Sequence, residues 1–188
     1  MPTLAIIIAS TRAGRAGGPV ADWFFGCARG HGKFEVELID LKQVNLPLLD
    51  EPHHPRLQQY EHEHTKRWSD RIQRTDAFVF VTPEYNYGPS PALLNALDYL
   101  YKEWNYKAAG FVSYGGISGG LRAVQITKQI VSTLKMVPLV EAVAVPFFAR
   151  RIENDAFKSD DALDKSATTM LDELARWNAA LTGLRTPV

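Results

Sequence analysis

Three short stretches of this chain gather groups that could hold a ligand. The first reads Ala9-Ser10-Thr11-Arg12-Ala13-Gly14-Arg15-Ala16-Gly17-Gly18-Pro19. Hydroxyls on Ser10 and Thr11, free N–H groups where a helix starts near Gly17 and Gly18, and the guanidiniums of Arg12 and Arg15 together suit a phosphate. The stretch is not a Walker A loop, because no Gly-Lys-Ser/Thr is present, and its glycines do not make the dinucleotide pattern G-x-G-x-x-G. Asp40 would suit a ribose-binding acid in a dinucleotide fold, but without those glycines it counts for little. An ordinary strand-to-helix turn with solvated arginines would read much the same, so this loop decides nothing alone.

The second stretch, Thr82-Pro83-Glu84-Tyr85-Asn86-Tyr87-Gly88-Pro89-Ser90-Pro91, directly follows an apolar run. Two tyrosines, an amide and a stiffening proline suit a planar ring with a polar edge. Aromatic surface would meet its faces, and Asn86 and backbone groups its rim. Without a ligand this would be a proline-rich turn with tyrosines packed on a neighbouring helix, an alternative strongest for Tyr87. The third stretch runs from Ser113 through Tyr114, Gly115 and Gly116 to Gly120, with Arg122 beyond. Glycine has no side chain to hold backbone away from a ligand. Position after another apolar run is what gives this cluster weight.

These stretches need a frame that brings them together. Short apolar runs alternate with longer helical patterns, which marks a parallel sheet covered by helices on both faces. Leu4 to Ala9, Ala77 to Val81 and Ala108 to Val112 are continuous apolar runs, as strands buried on both sides require. Phe34 to Leu38 alternates apolar and charged and suits an edge strand, and Val140 to Val145 reads as the last strand. Helices are expected from about Pro19 to the stop at Gly30 and Gly32, around Trp68 and Ile72, from Pro91 to Trp104, and from Leu121 to Lys135. A final one follows the stripe Leu163, Ala167, Met170, Leu171, Leu174, Trp177 and Leu181, while Asn45 to Pro55 reads as a loop. This order gives a doubly wound α/β sheet, one domain over residues 1–188. Ligands of such sheets sit at the carboxyl ends of the strands, where strand order reverses. All three stretches lie at such ends.

On these residues the chain resembles the NAD(P)H-dependent FMN reductases of the flavodoxin-like superfamily, which include quinone, azo-dye and chromate reductases. The segments that carry the resemblance are Ser10-Thr11-Arg12-Ala13-Gly14-Arg15, Pro83-Glu84-Tyr85-Asn86-Tyr87-Gly88, Leu94-Asn95-Ala96-Leu97-Asp98-Tyr99-Leu100, Glu103-Trp104, and Ser113-Tyr114-Gly115-Gly116 with Gly119-Gly120-Leu121-Arg122. The resemblance implies a three-layer αβα fold whose five-stranded parallel sheet runs in order 2-1-3-4-5. It implies FMN held by its phosphate at Ser10, Thr11, Arg12, Arg15, Gly17 and Gly18. The flavin ring would lie along Pro83, Glu84, Tyr85, Asn86 and Tyr87, its pocket completed by Ser113, Tyr114, Gly115 and Gly116. It also implies NADPH or NADH as co-substrate, and a homodimer or tetramer whose interface borders the flavin. Ala9 stands where the family usually has glycine, and Leu94 where lysine is common before Asn95.

Chemistry of this kind needs no protein nucleophile, because the cofactor supplies the reactive atom. The expected cycle is ping-pong: NAD(P)H reduces bound flavin and leaves, and an acceptor such as a quinone, free flavin, azo dye or metal oxyanion then takes the same face. Composition limits the rivals. Lysine plus arginine (21) equals aspartate plus glutamate (21), which offers no basic face to a nucleic acid and no acidic field of the sort that steers one-electron carriers. A non-enzymatic electron carrier or a regulatory flavoprotein is the alternative reading. The lone Cys27 gives no disulfide framework and suits a reducing, cytoplasmic setting. No apolar run approaches the ~20 residues of a membrane span, and the N-terminus lacks the basic region and cleavage site of a signal peptide. His53, His54, His62 and His64 invite a metal reading, but they lack a completing ligand set and read as a solvated polar loop. If that stretch is helical, His62 and His64 are expected on different faces. Cys27 and Trp177 read as core, and Glu103-Trp104 as the end of a helix that faces a partner.

Overall fold

Strands buried on both faces make the centre of a parallel sheet. In the computed structural model, which describes residues 1–185, β1 (Thr3–Ile8), β3 (Ala77–Pro83) and β4 (Ala108–Tyr114) pair in parallel, with β2 (Glu35–Asp40) outside β1. Residues 186–188 of the expected domain lie outside the described residues. The sheet order is β2-β1-β3-β4, followed by the short β5 (Val137–Pro138), as the resemblance implies. Successive side chains point to opposite faces. Leu4, Ile6, Ile8, Val79, Val81 and Val112 therefore join one core, and Ala5, Ile7, Phe78, Phe80 and Phe111 the other. Helices α1 (Gly17–His31) and α6 (Asp161–Leu181) cover the first, and α3 (Glu63–Gln73), α4 (Pro91–Asp98) and α5 (Leu121–Thr133) the second. A single turn, α2 (Leu41–Val44), follows β2. Because β1 is flanked by β2 and β3, strand order reverses there, between the first and second ligand-holding stretches.

Five elements differ from expectation. The last strand does not run from Val140: its place is shared by β5, beside Ala108 and Ala109, and β6 (Val143–Val145), beside Val112 to Tyr114. Pro138 brings no N–H to the ladder, and after Leu139 the chain leaves the sheet, exposing Val140, before it returns. The helix from Pro91 stops at Asp98, and a 3-10 turn, Lys102–Trp104, drives Trp104 into the core against Phe78 (4.9 Å) and Trp68 (6.1 Å). Full burial of so large a ring outweighs another helical turn. Trp104 is thus core of its own chain, not the partner-facing residue expected. In α6 the buried stripe steps through Leu174, Asn178 and Leu181, leaving Trp177 42% exposed. Gly32, at φ +74°, ends α1 one turn-residue after His31, while Gly30 stays helical. A small hairpin, β7 (Ile152–Glu153) with β8 (Ala156–Phe157), was not anticipated.

The long loop after α2 is held by polar contacts. Glu103 is fully buried, and its carboxylate accepts from Ser69 Oγ (2.7 Å), Tyr60 Oη (2.9 Å), Gln58 Nε2 (3.2 Å) and Tyr101 N–H (3.3 Å). That set of donors is what lets a carboxylate sit inside without a cation. His64 meets Asp50 at 3.0 Å. The rings of His62 and His64 stack 5.2 Å apart, since His62 precedes α3 as its N-cap and the helical period that would separate them does not include it.

Candidate functional site

The carboxyl ends of β1, β3 and β4 open into one cleft of about 300 Å³. Ser10, Arg12 and Arg15 line it from the first loop, Pro83, Glu84 and Tyr85 from the second, and Tyr114, Gly115 and Gly116 from the third. The loops are joined directly. Ser10 Oγ and Tyr85 Oη lie 2.7 Å apart, and Ser90 Oγ, which caps α4, donates to Ala9 O at 2.7 Å. Glu84 links the second loop to the third: Oε2 accepts from Ser118 Oγ (2.8 Å) and from Arg122 N–H (3.1 Å) at the start of α5.

Local sequence explains how each loop takes its shape. Tyr85 and Gly88 exchange both backbone hydrogen bonds at 2.9 Å, while Asn86 (φ +50°) and Tyr87 (φ +69°) sit in left-handed backbone. That is the two-residue turn whose twist suits a tight reversal. It carries Asn86 and Tyr87 to the exposed tip beyond the cleft, where the Arg122 guanidinium stacks 3.9 Å over the Tyr87 ring. In the third loop Ser113 is buried and donates to Gly119 O at 2.7 Å. Gly120 is required there: its φ is +85°, and a Cβ would stand 2.8 Å from Ser113 Cβ and 2.9 Å from Tyr114 N.

Two features at the base of the cleft stay unsatisfied within the protein. The first turn of α1 has no side-chain cap among the described residues, since its N-cap is Ala16, so the N–H groups of Gly17 and Gly18 have no such acceptor. Beside them Tyr114 is 3% exposed, and its hydroxyl has no hydrogen-bond partner among the described residues. The neighbouring Ser10 hydroxyl is engaged by Tyr85. Burial raises the Tyr114 phenol pKa, so the group is a protonated donor at neutral pH. A Cβ on residue 17 would come within 2.7 Å of that oxygen, which only glycine avoids.

Of the expected site residues, one stands outside this cleft and another lines it with its guanidinium already engaged. Thr11 is exposed and lines a neighbouring groove between α2 and α4. Arg15 is turned to Asp40, with which it makes a two-pronged ion pair. Gly14 and Ala16 line the cleft as part of the first loop, and one lining residue was not anticipated, Phe148, whose ring meets Tyr114 edge-on at 5.3 Å. Phe148 follows β6, so the strand-end rule that found the other loops, applied to the last strand, was the available signal.

A phosphate-suited loop, a turn bearing tyrosines and a glycine-rich loop thus surround one cleft, and residues 2–150 match the family described as NADPH-dependent FMN reductase. The chain belongs to that family. It is 40% identical over 149 residues to an NAD(P)H-dependent FMN reductase of Schizosaccharomyces pombe, covering 77% of this chain and 74% of the relative. To a quinone reductase of Pseudomonas putida it is 32% identical over 118 residues, covering 60% and 63% of the two chains. Among solved structures, the flavoenzyme NAD(P)H:(acceptor) oxidoreductase FerB of Paracoccus denitrificans superposes with a TM-score of 0.75 over 96% of this chain and 98% of that one, at 22% identity, which speaks for the fold. Membership in the FMN reductase family makes the chain an FMN-dependent oxidoreductase that uses NAD(P)H. The cleft's chemistry fits that cofactor. An orphan phenol donor and uncapped helical N–H groups are acceptor-seeking groups, as a phosphate requires.

Proposed function

We propose that the cleft holds FMN with its phosphate at the first loop and the α1 N-terminus and its ring between the second and third loops. Ser10, Arg12, Gly17, Gly18 and Tyr114 surround the phosphate end. Pro83, Glu84, Tyr85, Gly115 and Gly116 flank the ring, with Asn86 and Tyr87 at its outer rim and Ser113 bracing the third loop from below. The observation that carries this reading is the 2.7 Å contact between Ser10 and Tyr85, which ties the phosphate-suited loop to the ring-suited turn. One bound FMN, when present, supplies hydride acceptance and donation; the chain supplies place and polarity. Backbone N–H groups of the second and third loops are fixed in advance, and donors held so contribute a few kcal/mol where negative charge gathers. NAD(P)H and the acceptor take turns on the open side of the cleft. A flat acceptor such as a quinone suits that face, in line with the quinone reductase relative.

Support for turnover over mere electron carriage comes from the balanced charge, 21 against 21, which gives no field to steer a redox partner. We further assign a homodimer, argued below, and a reducing, cytoplasmic setting in keeping with one unpaired cysteine, half-buried on α1. Among the described residues no helix is long and apolar enough to cross a membrane. The test is a purification: the protein should show a flavin spectrum, natively or after adding FMN, that bleaches anaerobically with NADPH or NADH and returns with a quinone. Parallel double-reciprocal lines should accompany turnover. A colourless protein that takes up no FMN would defeat the proposal.

A further inference from the structure

The first loop carries two arginines, and the fold treats them differently. Arg12 is exposed at the mouth of the cleft, its guanidinium 5.9 Å over the Tyr85 ring, with no carboxylate partner among the described residues. Arg15 is bound on two sides. Its Nη1 donates to Asp40 Oδ1 at 2.7 Å and to the backbone oxygen of Ser10 at 2.5 Å, and its Nη2 donates to Asp40 Oδ2. Both side chains are largely buried, 16% and 11% exposed. Asp40 is itself fixed: it ends β2 opposite Ile8, the last residue of β1, and caps α2 by accepting from Lys42 N–H at 2.9 Å.

We propose that Arg15 and Asp40 are a positioning pair that shapes the phosphate loop, while Arg12 provides the charge that meets the phosphate; this rests on the FMN reading above. A planar guanidinium gripping a carboxylate with two parallel bonds has one geometry. Through it the far side of the loop, at residue 15, is tied both to its own start at Ser10 and to the end of the neighbouring strand. The loop between them contains Gly14 in left-handed backbone at φ +64° and has few other internal ties. Ser10, whose hydroxyl meets Tyr85 across the cleft, is thus gripped from behind by its carbonyl. Asp40 also cancels the charge of Arg15, which leaves Arg12 as the uncompensated cation of the loop.

The pair yields a prediction whose sign separates positioning from direct contact. FMN and riboflavin affinities are measured by flavin fluorescence quenching for the wild-type protein, Asp40→Asn and Arg15→Lys, with melting temperatures of the flavin-free proteins. Asp40→Asn removes a negative charge near the phosphate, so electrostatics alone would tighten FMN. If the pair positions the loop, FMN binding instead weakens about tenfold, while riboflavin, which lacks the phosphate, binds as before. Arg15→Lys keeps the charge but loses the fork, and should weaken FMN similarly with riboflavin unchanged. Tighter or unchanged FMN binding in Asp40→Asn would overturn the proposal, as would an equal loss for both flavins, the mark of a purely structural role. If Asp40→Asn does not fold, Asp40→Glu carries the comparison: it keeps the charge but shifts the carboxylate off the fork, so FMN weakens if the pair positions the loop and is unchanged if it does not. Wild-type protein that binds neither flavin would overturn the FMN reading itself, and the pair's role with it.

Discussion

Tyr114 has a hydroxyl that folding has taken from water without giving it a partner, and such a group costs about 1–3 kcal/mol where it stands. It is the residue at which ligand binding and stability should part company. Tyr114→Phe removes the orphan oxygen and keeps the ring against Phe148, so the flavin-free variant should melt at the same temperature or higher. FMN affinity should fall by about tenfold, the worth of one hydrogen bond to a charged acceptor, with riboflavin little affected. Thermal melts without flavin, beside fluorescence titrations with each flavin, measure both. A melting temperature several degrees lower in the flavin-free variant would show that the hydroxyl has a protein partner after all. This orphan state was not legible in the sequence. Tyr114 could be placed in the third loop by its neighbours, but its hydroxyl comes to rest beside a Ser10 that pairs with Tyr85, a residue 75 positions away. Asp40 was undervalued for the same reason, since its weight comes from Arg15 across two strands.

Elements whose burial follows from their own residues were readable, and those decided by a distant partner were not. The apolar runs of β1, β3 and β4 lie on both faces of the sheet because each has a helix layer on either side, and their sequence says so. The end of α4 could not be read, because Leu97 O accepts both Leu100 N–H at 3.4 Å and Trp104 Nε1 at 3.2 Å, a closure set by a ring seven residues on. Helix α3 offers a testable case. Its last carbonyls, Ile72 O and Gln73 O, accept from Lys107 Nζ at 2.8 and 3.0 Å, and Lys107 is 4% exposed. Burial, aided by the nearby Arg185, pushes this amine down to about 7 from its ordinary 10.5. A neutral amine still has the two N–H bonds those two carbonyls need. Below about pH 7 the lysine is charged folded and unfolded alike, and the cost of burying the charge is fully felt. Between about 7 and 10.5 the unfolded chain binds a proton the folded one does not, so stability rises with pH, by roughly 1 kcal/mol per unit. Relative to Lys107→Met, the wild-type protein should therefore gain stability from pH 7 to 9.5 in urea melts, and a constant difference would refute the buried neutral amine.

For the whole molecule, layer order and the meeting of three loops followed from the alternation of strands and helices, but which face meets another chain did not. The sequence pointed to Glu103 and Trp104, and both are buried within the chain. Exposed apolar side chains do stand beside the cleft, where Leu48 is 83% exposed and Leu49 adjoins it, over a groove of about 460 Å³ between α2 and α4. These leucines are not on a loose loop. Asn95 donates to Pro47 O at 2.7 Å and accepts from Leu49 N–H at 2.9 Å, while Tyr99 Oη donates to Pro47 O at 3.1 Å. A surface already ordered loses little conformational freedom on association, and a chain of zero net charge has no long-range repulsion to overcome. Two copies meeting through this face would bury four leucines, at about 1.5 kcal/mol or more each. The double variant Leu48→Asp, Leu49→Asp should therefore raise the dimer dissociation constant by at least about a hundredfold. Sedimentation should then report a monomer with an unchanged far-ultraviolet spectrum, because neither side chain supports the core. Wild-type protein that sediments as a monomer at tens of micromolar, or a variant still dimeric, would place the contact on another face or remove it altogether.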